Sequence, residues 1–367
     1  MDVLVIGGTR YFGKVIVRRL LERGDAVTVY SRGSSRPDFW SDVAHIKGDR
    51  TDYEGFARNL RNRTFDAVVD NLAFKLEDAQ AAVKALRGQV GKYLVASTVS
   101  IYGGLGHALE WHPTADAGRP RHLSEFVDLE ANCPLREEVV DLADVSWSYD
   151  PDINEYAQGK RQIERYLQET PDFPSVVLRV PVTVGPEDHS LRFWWYMERV
   201  QDGREIVMRD GGSNIFRNGY RDDIARAFID AMDSPQTANQ IYNVAQAEVI
   251  TLRRLLEVIA EKAGCALNTV SVPGDTAEAL SRLPWESWRF DPLSRPPSYV
   301  MSIEKARRDF RLHSTPVEEW VGTTVEWYGE HHDGSHSFSY ESREEEVRFA
   351  QWWRREFGRF VETAQVS

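Results

Sequence analysis

The sequence predicts an α/β protein in which a doubly wound parallel sheet is joined to a smaller, mixed α/β domain in the C-terminal half. Short, continuous apolar runs alternate with helical stretches through the first half of the chain, a pattern typical of strands buried on both faces. A glycine-rich turn, Gly7–Gly13, directly follows the first of these runs. The alternation becomes less regular in the second half, and 367 residues are enough for two domains.

The individual elements follow from these runs. The predicted strands are rich in β-branched residues and comprise Val3–Ile6, Val27–Tyr30, Ala67–Asp70, Tyr93–Ser97, Val176–Val180 and, later in the chain, Gln240–Val244. The predicted helices are Lys14–Arg23, Tyr53–Leu60, Glu77–Leu86, Ile153–Glu169, Phe193–Asp202, Asp222–Met232 and Leu252–Ala263. Segment 272–298 is predicted as loops. A sheet of this kind binds ligands at the carboxyl ends of its strands.

The same pattern predicts the domain organisation. We expect a first domain of residues 1–185 plus about 220–246, with an insertion at 103–150, and a second domain of residues 186–219 plus 247–330. Residues 331–367 are predicted to form a linker and a helix that docks onto the body of the protein or onto a partner subunit, which leaves a homodimer open. The insertion is interpreted either as a lid over the active site or as an oligomer contact.

Composition and charge narrow the functional classes. The net charge of −12 argues against binding to nucleic acid, because a negatively charged chain does not attract a polyanion. Cys133 and Cys265 are far apart and form no metal or disulfide pattern. We expect a cytoplasmic protein without a membrane segment, because Asp2 is followed at once by a strand rather than by a signal peptide. The histidines at 331, 332 and 336 are interpreted as solvated, so no metal site is expected.

The turn Gly7–Gly13 lies between a predicted strand and a predicted helix. A dinucleotide pyrophosphate requires a tight turn, close approach of the main chain and free N–H groups at the helix start. Gly7 and Gly13 supply two of these features, whereas Arg10 replaces the middle glycine of the usual pattern. The context therefore predicts a dinucleotide-binding Rossmann domain. The stretch at the end of the second strand contains no carboxylate and includes Arg32, which favours NADP over NAD because arginine can bind the 2′-phosphate.

Tyr156 and Lys160 lie four residues apart at the start of a predicted helix, so both side chains face the same side. A lysine ammonium stabilises a nearby phenolate and makes a tyrosine usable as a general acid or base beside an alcohol or carbonyl. A hydroxyl at the carboxyl end of the strand Tyr93–Ser97 can orient the reacting oxygen. Thr98 is the better candidate for this role, and Ser100 is the reserve.

These motifs, in this order, resemble the extended short-chain dehydrogenase/reductase family, which includes the nucleotide-sugar epimerases. The resemblance covers about residues 1–330 and rests on Gly7–Gly13, Phe65–Asp70 with Leu72-Ala73, Ser97–Gly103, Tyr156–Lys160, Leu178–Pro181 with Gly185-Pro186, Tyr220–Ala225 and Tyr242–Val244. It implies that Thr98, Tyr156 and Lys160 are catalytic and that Asp49 and Arg50 lie near the adenine. The implied cofactor-binding set is Gly7, Thr9, Arg10, Tyr11, Phe12, Gly13, Arg32, Asp49, Arg50, Leu72, Ala73, Tyr156, Lys160, Val180 and Pro181.

The chain also departs from the family pattern in ways that limit the substrate class. Family members that dehydrate or decarboxylate carry an acidic residue just after the Thr98 position, where this chain has Val99 and Ser100, so a dehydratase is disfavoured. The arginine expected before Tyr220–Ala225 is displaced to Arg217, and Arg192 is an alternative ligand for a diphosphate. Three functions follow. They are an NAD(P)-dependent epimerase of a sugar or nucleotide sugar, an NADPH-dependent ketoreductase of secondary metabolism and a non-catalytic NADP-binding regulator.

Overall fold

A computed structural model describes residues 1–102, 135–143, 155–274 and 300–366. They divide into two units. The first comprises the described residues of Met1–Thr183, Asn218–Ala247 and Tyr299–Ser314, and the second those of Val184–Arg217, Glu248–Ser298 and Thr315–Ser367. Most of the predicted insertion at 103–150 and of the predicted loops at 272–298 lies outside the described residues. Residues 331–366, predicted as a separate linker and helix, fall within the second unit.

The elements of the described chain are as follows. The strands are β1 (Asp2–Ile6), β2 (Ala26–Ser31), β3 (Ala44–Lys47), β4 (Phe65–Asp70), β5 (Val90–Thr98), β6 (Ser175–Val180), β7 (Thr183–Val184), β8 (Ile206–Arg209), β9 (Ile215–Phe216), β10 (Gly219–Tyr220), β11 (Gln240–Asn243), β12 (Ile250–Thr251) and β13 (Thr269–Val272). The helices are α1 (Tyr11–Arg23), α2 (Tyr53–Leu60), α3 (Leu76–Leu86), α4 (Glu155–Gln168), α5 (Arg192–Gln201), α6 (Arg221–Asp233), α7 (Leu252–Ala263), α8 (Glu304–Phe310), α9 (Val317–His331) and α10 (Arg343–Val366).

Within the described residues of the first unit, seven parallel strands form one sheet in the order β11-β6-β5-β4-β1-β2-β3. From β1 the sheet extends through β2 to β3 on one side. On the other side it extends from β4, the neighbour of β1, through β5 and β6 to β11. This order places a topological switch point between β1 and β4, where open α/β sheets bind their ligands. The predicted doubly wound parallel sheet is confirmed.

Both faces of the sheet are buried. Alternate residues of β1 point to opposite faces, so Val3 and Val5 join the core beneath α1 and α6, while Leu4 and Ile6 join the core beneath α2, α3 and α4. All four side chains are fully buried. Because each buried aliphatic side chain contributes about 1.5–3 kcal/mol, this continuous apolar run suits a central strand covered on both sides.

The second unit is smaller and mixed. Its strands pair as β8 with β13 in parallel and β9 with β12 in antiparallel orientation, and α7 packs against both α5 and α9. The last helix, α10, packs on β8, with Phe349 and Ala350 against Val270 and Val272. None of the described helices is long and apolar enough to cross a membrane.

Candidate active site

The glycine turn has the geometry that its sequence predicts. Gly7 has a φ of 86°, in the left-handed region that favours glycine. A Cβ atom there would lie 2.8 Å from the Leu72 Cγ atom, and a Cβ atom on Gly13 would collide with the carbonyl oxygen of Gly7. The two glycines therefore allow the first turn of α1 to lie against the ends of β1 and β4.

The N-terminus of α1 fits the phosphates of a dinucleotide. Arg10 is the exposed N-cap residue, and the first turn of the helix contains no acidic residue. The helix dipole and the first N–H groups therefore favour an anion at this position. Tyr11 has a φ of 48°, and its hydroxyl donates to the main-chain oxygen of Thr183 at 2.8 Å. That bond connects the turn to Thr183, which lies shortly after Val180, the last residue of β6, and Pro181. Thr9 and Phe12 are partly buried in the same turn.

At the end of β2 the chain presents a hydroxyl and a cation. The Ser31 Oγ atom accepts a hydrogen bond from the Gly33 N–H group and lies 3.0 Å from the Nε2 atom of His45. Arg32 follows and is exposed. Hydrogen bonds from Thr51, together with the charge of Arg32, lower the pKa of Asp49, which is exposed after β3. The residues that end β2 include no carboxylate, in agreement with the sequence.

Arg50 has contacts that differ from those suggested by the resemblance. Its guanidinium is buried, donates to Asp70 at 2.9 Å and to the main-chain oxygen of Asp78 at 2.6 Å, and lies over the Phe56 ring. Asp70 in turn accepts a hydrogen bond from the Leu72 N–H group at 2.9 Å. Arg50 thus stabilises the end of β4 through Asp70, and its adenine contact stays a prediction.

Lys160 is buried between the ends of two strands. Its ammonium donates to the main-chain oxygens of Ala73, after β4, and Ala96, in β5, at 2.7 and 2.6 Å. Burial lowers the pKa of Lys160 to about 8, although the charges of Asp70 and Glu164 oppose this effect. The side chain therefore anchors α4 at the carboxyl end of the sheet while keeping a cation beside the phenol of Tyr156.

Tyr156 lies one turn before Lys160 on α4. The Lys160 Nζ atom is 5.7 Å from the centre of its ring, and the tyrosine side chain is 43% exposed. A catalytic phenol must reach a substrate that arrives from solvent, so this exposure suits the predicted role. The ring of Phe74, which the sequence analysis did not single out, lies 6.2 Å from that of Tyr156. The sequence could have pointed to Phe74, because it directly follows Leu72-Ala73, a pair that was predicted to bind the cofactor.

Thr98 ends β5, two residues after the carbonyl that binds Lys160. Its buried hydroxyl donates to the Ser100 Oγ atom at 3.2 Å and accepts from the Ser100 N–H group at 3.1 Å. The chain then forms a short 3₁₀ turn at Val99–Tyr102, and the Arg161 Nε atom of α4 donates to the Ile101 oxygen at 2.7 Å. The structure thus brings the predicted hydroxyl and α4 to the same end of the sheet.

A buried polar network supports this arrangement and was missed in the sequence. Glu164, one turn after Lys160, accepts hydrogen bonds from the Ser97 hydroxyl and from Arg179, whose Nη2 atom is 2.7 Å away. Arg179 also donates to the Tyr102 hydroxyl at 2.9 Å. The signal available in the sequence was a glutamate four residues after Lys160, which must lie on the same helix face.

The two predicted substrate arginines lie in the second unit. Arg192 begins α5, is exposed and donates to the Ser190 hydroxyl at 3.0 Å. Arg217 directly follows β9 and is partly buried. The predicted catalytic residues lie in the first unit, and the substrate role of both arginines stays a prediction. In the part of the chain that the structure describes, no group of His, Cys, Asp and Glu is arranged to hold a metal.

Comparison with known proteins shows several relatives. The chain is 24% identical over 275 residues to the chloroplast stem-loop binding protein of 41 kDa b of Arabidopsis thaliana, covering 71% of this chain and 63% of that protein. It is also 24% identical over 278 residues to 2′-dehydrokanamycin reductase of Streptomyces kanamyceticus, covering 76% and 71% of the two chains. The chain thus spans less than two thirds of the plant relative.

A solved structure supports the fold. UDP-glucose 4-epimerase of Thermotoga maritima, solved with UDP-glucose, superposes with a TM-score of 0.64 at 18% identity, covering 90% of this chain and 99% of that one. The model of the NAD dependent epimerase/dehydratase family matches residues 3–245, which include the glycine turn, Thr98, Tyr156 and Lys160. The protein is therefore a member of the NAD-dependent epimerase/dehydratase family.

Proposed function

We propose that the protein is an NAD(P)-dependent epimerase that acts on a sugar or nucleotide sugar through a transient ketone. The observation that carries this proposal is the pairing of the exposed Tyr156 side chain with the buried Lys160 ammonium at the ligand-binding end of the sheet. This pair suits reversible proton transfer at a secondary alcohol. The substrate is a small molecule that binds from solvent.

Each residue has a defined part in the chemistry. The Tyr156 phenolic oxygen takes the proton of the substrate hydroxyl and later returns a proton to the ketone oxygen. The Lys160 ammonium stabilises the phenolate form of Tyr156, and the Thr98 hydroxyl hydrogen-bonds the reacting oxygen and orients it. When bound, a nicotinamide dinucleotide supplies the acceptor and donor of the hydride.

Dehydration is not proposed because it requires a further base. Removing a proton from the carbon beside the ketone needs a second group near the Thr98 position, and this chain has Val99 and Ser100 there. Ser100 instead exchanges hydrogen bonds with Thr98. Epimerisation and simple ketone reduction both proceed without that second base.

We propose NADP as the preferred cofactor. Arg10 is exposed at the start of α1, where the pyrophosphate of a dinucleotide binds in this fold. Arg32 is exposed directly after β2, near the ribose that carries the 2′-phosphate of NADP. Arg32→Ala should weaken NADP binding about tenfold and leave NAD binding within twofold, because a charge-assisted contact to the 2′-phosphate is lost. Equal loss for both dinucleotides, measured by titration calorimetry, would contradict this preference.

A second candidate function is an NADPH-dependent ketoreductase. The similarity to 2′-dehydrokanamycin reductase favours it, and the same three residues would perform the proton transfer in one direction. The two functions differ in cofactor exchange. An epimerase must keep its nicotinamide through the cycle, whereas a reductase must release it after each turnover.

The direct test is the nucleotide that the purified protein releases on denaturation. One equivalent of NADP or NAD, together with interconversion of two sugar epimers without net cofactor consumption, is the expected result. An empty protein that consumes NADPH with a ketone would instead identify the reductase. Tyr156→Phe should lower kcat at least 100-fold in either case. Full activity of that variant would contradict both functions.

A further inference from the structure

The Phe74 side chain lies beside Tyr156 and Lys160, two of the three proposed catalytic residues. Its ring centre is 6.2 Å from that of Tyr156 and 4.8 Å from the Lys160 Nζ atom. The side chain is 44% exposed, almost the same fraction as for Tyr156. Two exposed aromatic rings therefore lie next to each other, and both are close to the buried ammonium of Lys160.

The main chain of Phe74 is held firmly although its ring is not buried. Its N–H group donates to the Asp78 Oδ2 atom at 2.8 Å, at the start of α3. Its carbonyl oxygen lies so close to Gly159 of α4 that a Cβ atom on Gly159 would collide with it. The start of α3 and the first turns of α4 thus fix the position from which the ring projects.

A ligand that covers this phenyl ring would gain stability by burying its apolar surface. Exposed apolar surface is costly in water, and its burial is favourable. Small-molecule sites are commonly lined by aromatic side chains beside a few polar groups that orient the ligand. In the described chain, Phe74 and Tyr156 are both among the exposed large apolar side chains, and they are neighbours beside a catalytic lysine.

We propose that Phe74 is a specificity-determining residue on which the C–H face of a pyranose ring stacks while the carbinol oxygen reaches Tyr156. This proposal rests on the proposed function and names the part of the substrate that the site recognises. The face of an aromatic ring is electron-rich, and sugar C–H groups carry partial positive charge because oxygen atoms are attached to the same carbons. The contact has no hydrogen-bond direction, so it allows a transient ketone to turn over while its oxygen stays within reach of Tyr156.

The test uses the full chain loaded with NADP⁺ and two probes, UDP-glucose and methyl α-D-glucopyranoside. Saturation-transfer NMR on the wild type should show the pyranose C–H protons in contact with the protein. Phe74→Ala should weaken UDP-glucose binding about tenfold, whereas Phe74→Tyr, which retains the ring, should stay within twofold. Trp352→Ala is the control, because Trp352 is a similarly exposed aromatic residue on α10, a helix that contains none of the predicted site residues.

Three results would overturn the proposal. They are unchanged binding by Phe74→Ala, absence of pyranose-proton saturation with both probes, or a parallel loss of NADP⁺ affinity that would make Phe74 a cofactor contact. A second measurement distinguishes failure of the stacking role from failure of the proposed function. It follows hydride transfer through the absorbance of the reduced nicotinamide. Tyr156-dependent transfer with unaffected Phe74→Ala contradicts the stacking role alone. Ring-dependent binding without hydride transfer contradicts the proposed function alone.

Discussion

The ammonium of Lys160 is bound by two main-chain carbonyls instead of a carboxylate, and this choice of partner affects its ionisation. A carbonyl dipole stabilises a cation less than a full negative charge does at the same distance. The loss of hydration on burial therefore dominates, and the pKa of Lys160 falls to about 8. The same contacts fix the side chain at the ends of β4 and β5. The two carbonyl contacts and the burial that comes with them therefore set both the position of the Lys160 side chain and its pKa.

This ionisation predicts the pH dependence of activity. Burial disfavours the charged form, so Lys160 keeps its proton below a pH of about 8 and loses it above that value. The neutral amine no longer stabilises the Tyr156 phenolate, so kcat/KM for ketone reduction should fall as the pH rises from 7 to 10. Lys160→Arg, which stays charged throughout, should be slower and should lose the part of this alkaline limb that comes from Lys160, so that only the loss of the Tyr156 proton remains. An unchanged limb in that variant would contradict the assignment to Lys160.

At the scale of elements, α4 carries two of the proposed catalytic residues together with the buried charges that hold the helix in place. Tyr156 and Lys160 occupy its first turns, and Glu164 follows one turn later on the same face. Glu164 and Arg179 are both fully buried and form a 2.7 Å ion pair between α4 and β6. Arg161 adds a bond to the turn after β5. The direction of α4 therefore depends on charged groups that have no access to solvent.

Breaking the buried pair should be far more costly than breaking an exposed one on the same helix. Glu164→Gln leaves the Arg179 charge uncompensated and should lower the free energy of unfolding by about 3–5 kcal/mol. Arg165→Ala, which removes the exposed pair with Glu169, is the control and should change it by less than about 0.5 kcal/mol. Urea unfolding measures both. Equal effects of the two substitutions would show that the Glu164 pair does not support α4.

The sequence predicted the site features that depend on residues close to each other along the chain. Gly7 and Gly13 were predictable because a turn between a strand and a helix has few solutions. Tyr156 and Lys160 were predictable because a spacing of four puts both on one helix face. The buried guanidinium of Arg50 was not, because its partner Asp70 lies 20 residues away in sequence and meets it only in the folded sheet.

At the scale of the whole molecule, the parallel sheet could be predicted from the sequence. Some elements of the second unit could not. Continuous apolar runs such as Val3–Ile6 fit few structures other than a central strand. Helix α9 (Val317–His331) was not predicted, although its buried residues recur at helical spacing. Gly322, Thr323 and Thr324 have low helix propensity, so α9 depends on packing against α7, which no local pattern reveals.

The second unit depends on its last helix for charge compensation as well as for packing. Arg343 of α10 is almost fully buried and bonds Asp202, after α5, at 2.8 Å and Glu346 at 2.9 Å. It also donates to the main-chain oxygen of Glu205 at 2.7 Å. Arg199 of α5 pairs with the same Glu346 at 3.2 Å. The charges of α5 and α10 therefore form one buried group.

Removing Arg343 should loosen this unit. Arg343→Ala leaves Asp202 and Glu346 with fewer partners, so amide hydrogen exchange should rise at least tenfold in α5, β8 and α10. Arg348→Ala, which breaks the exposed pair with Glu345 one turn away, should leave exchange unchanged because that pair is well solvated. Peptide-resolved mass spectrometry distinguishes the two. Increased exchange confined to the last turns of α10 would mean that the helix merely frays, and that the buried charges of α5 are stable without it.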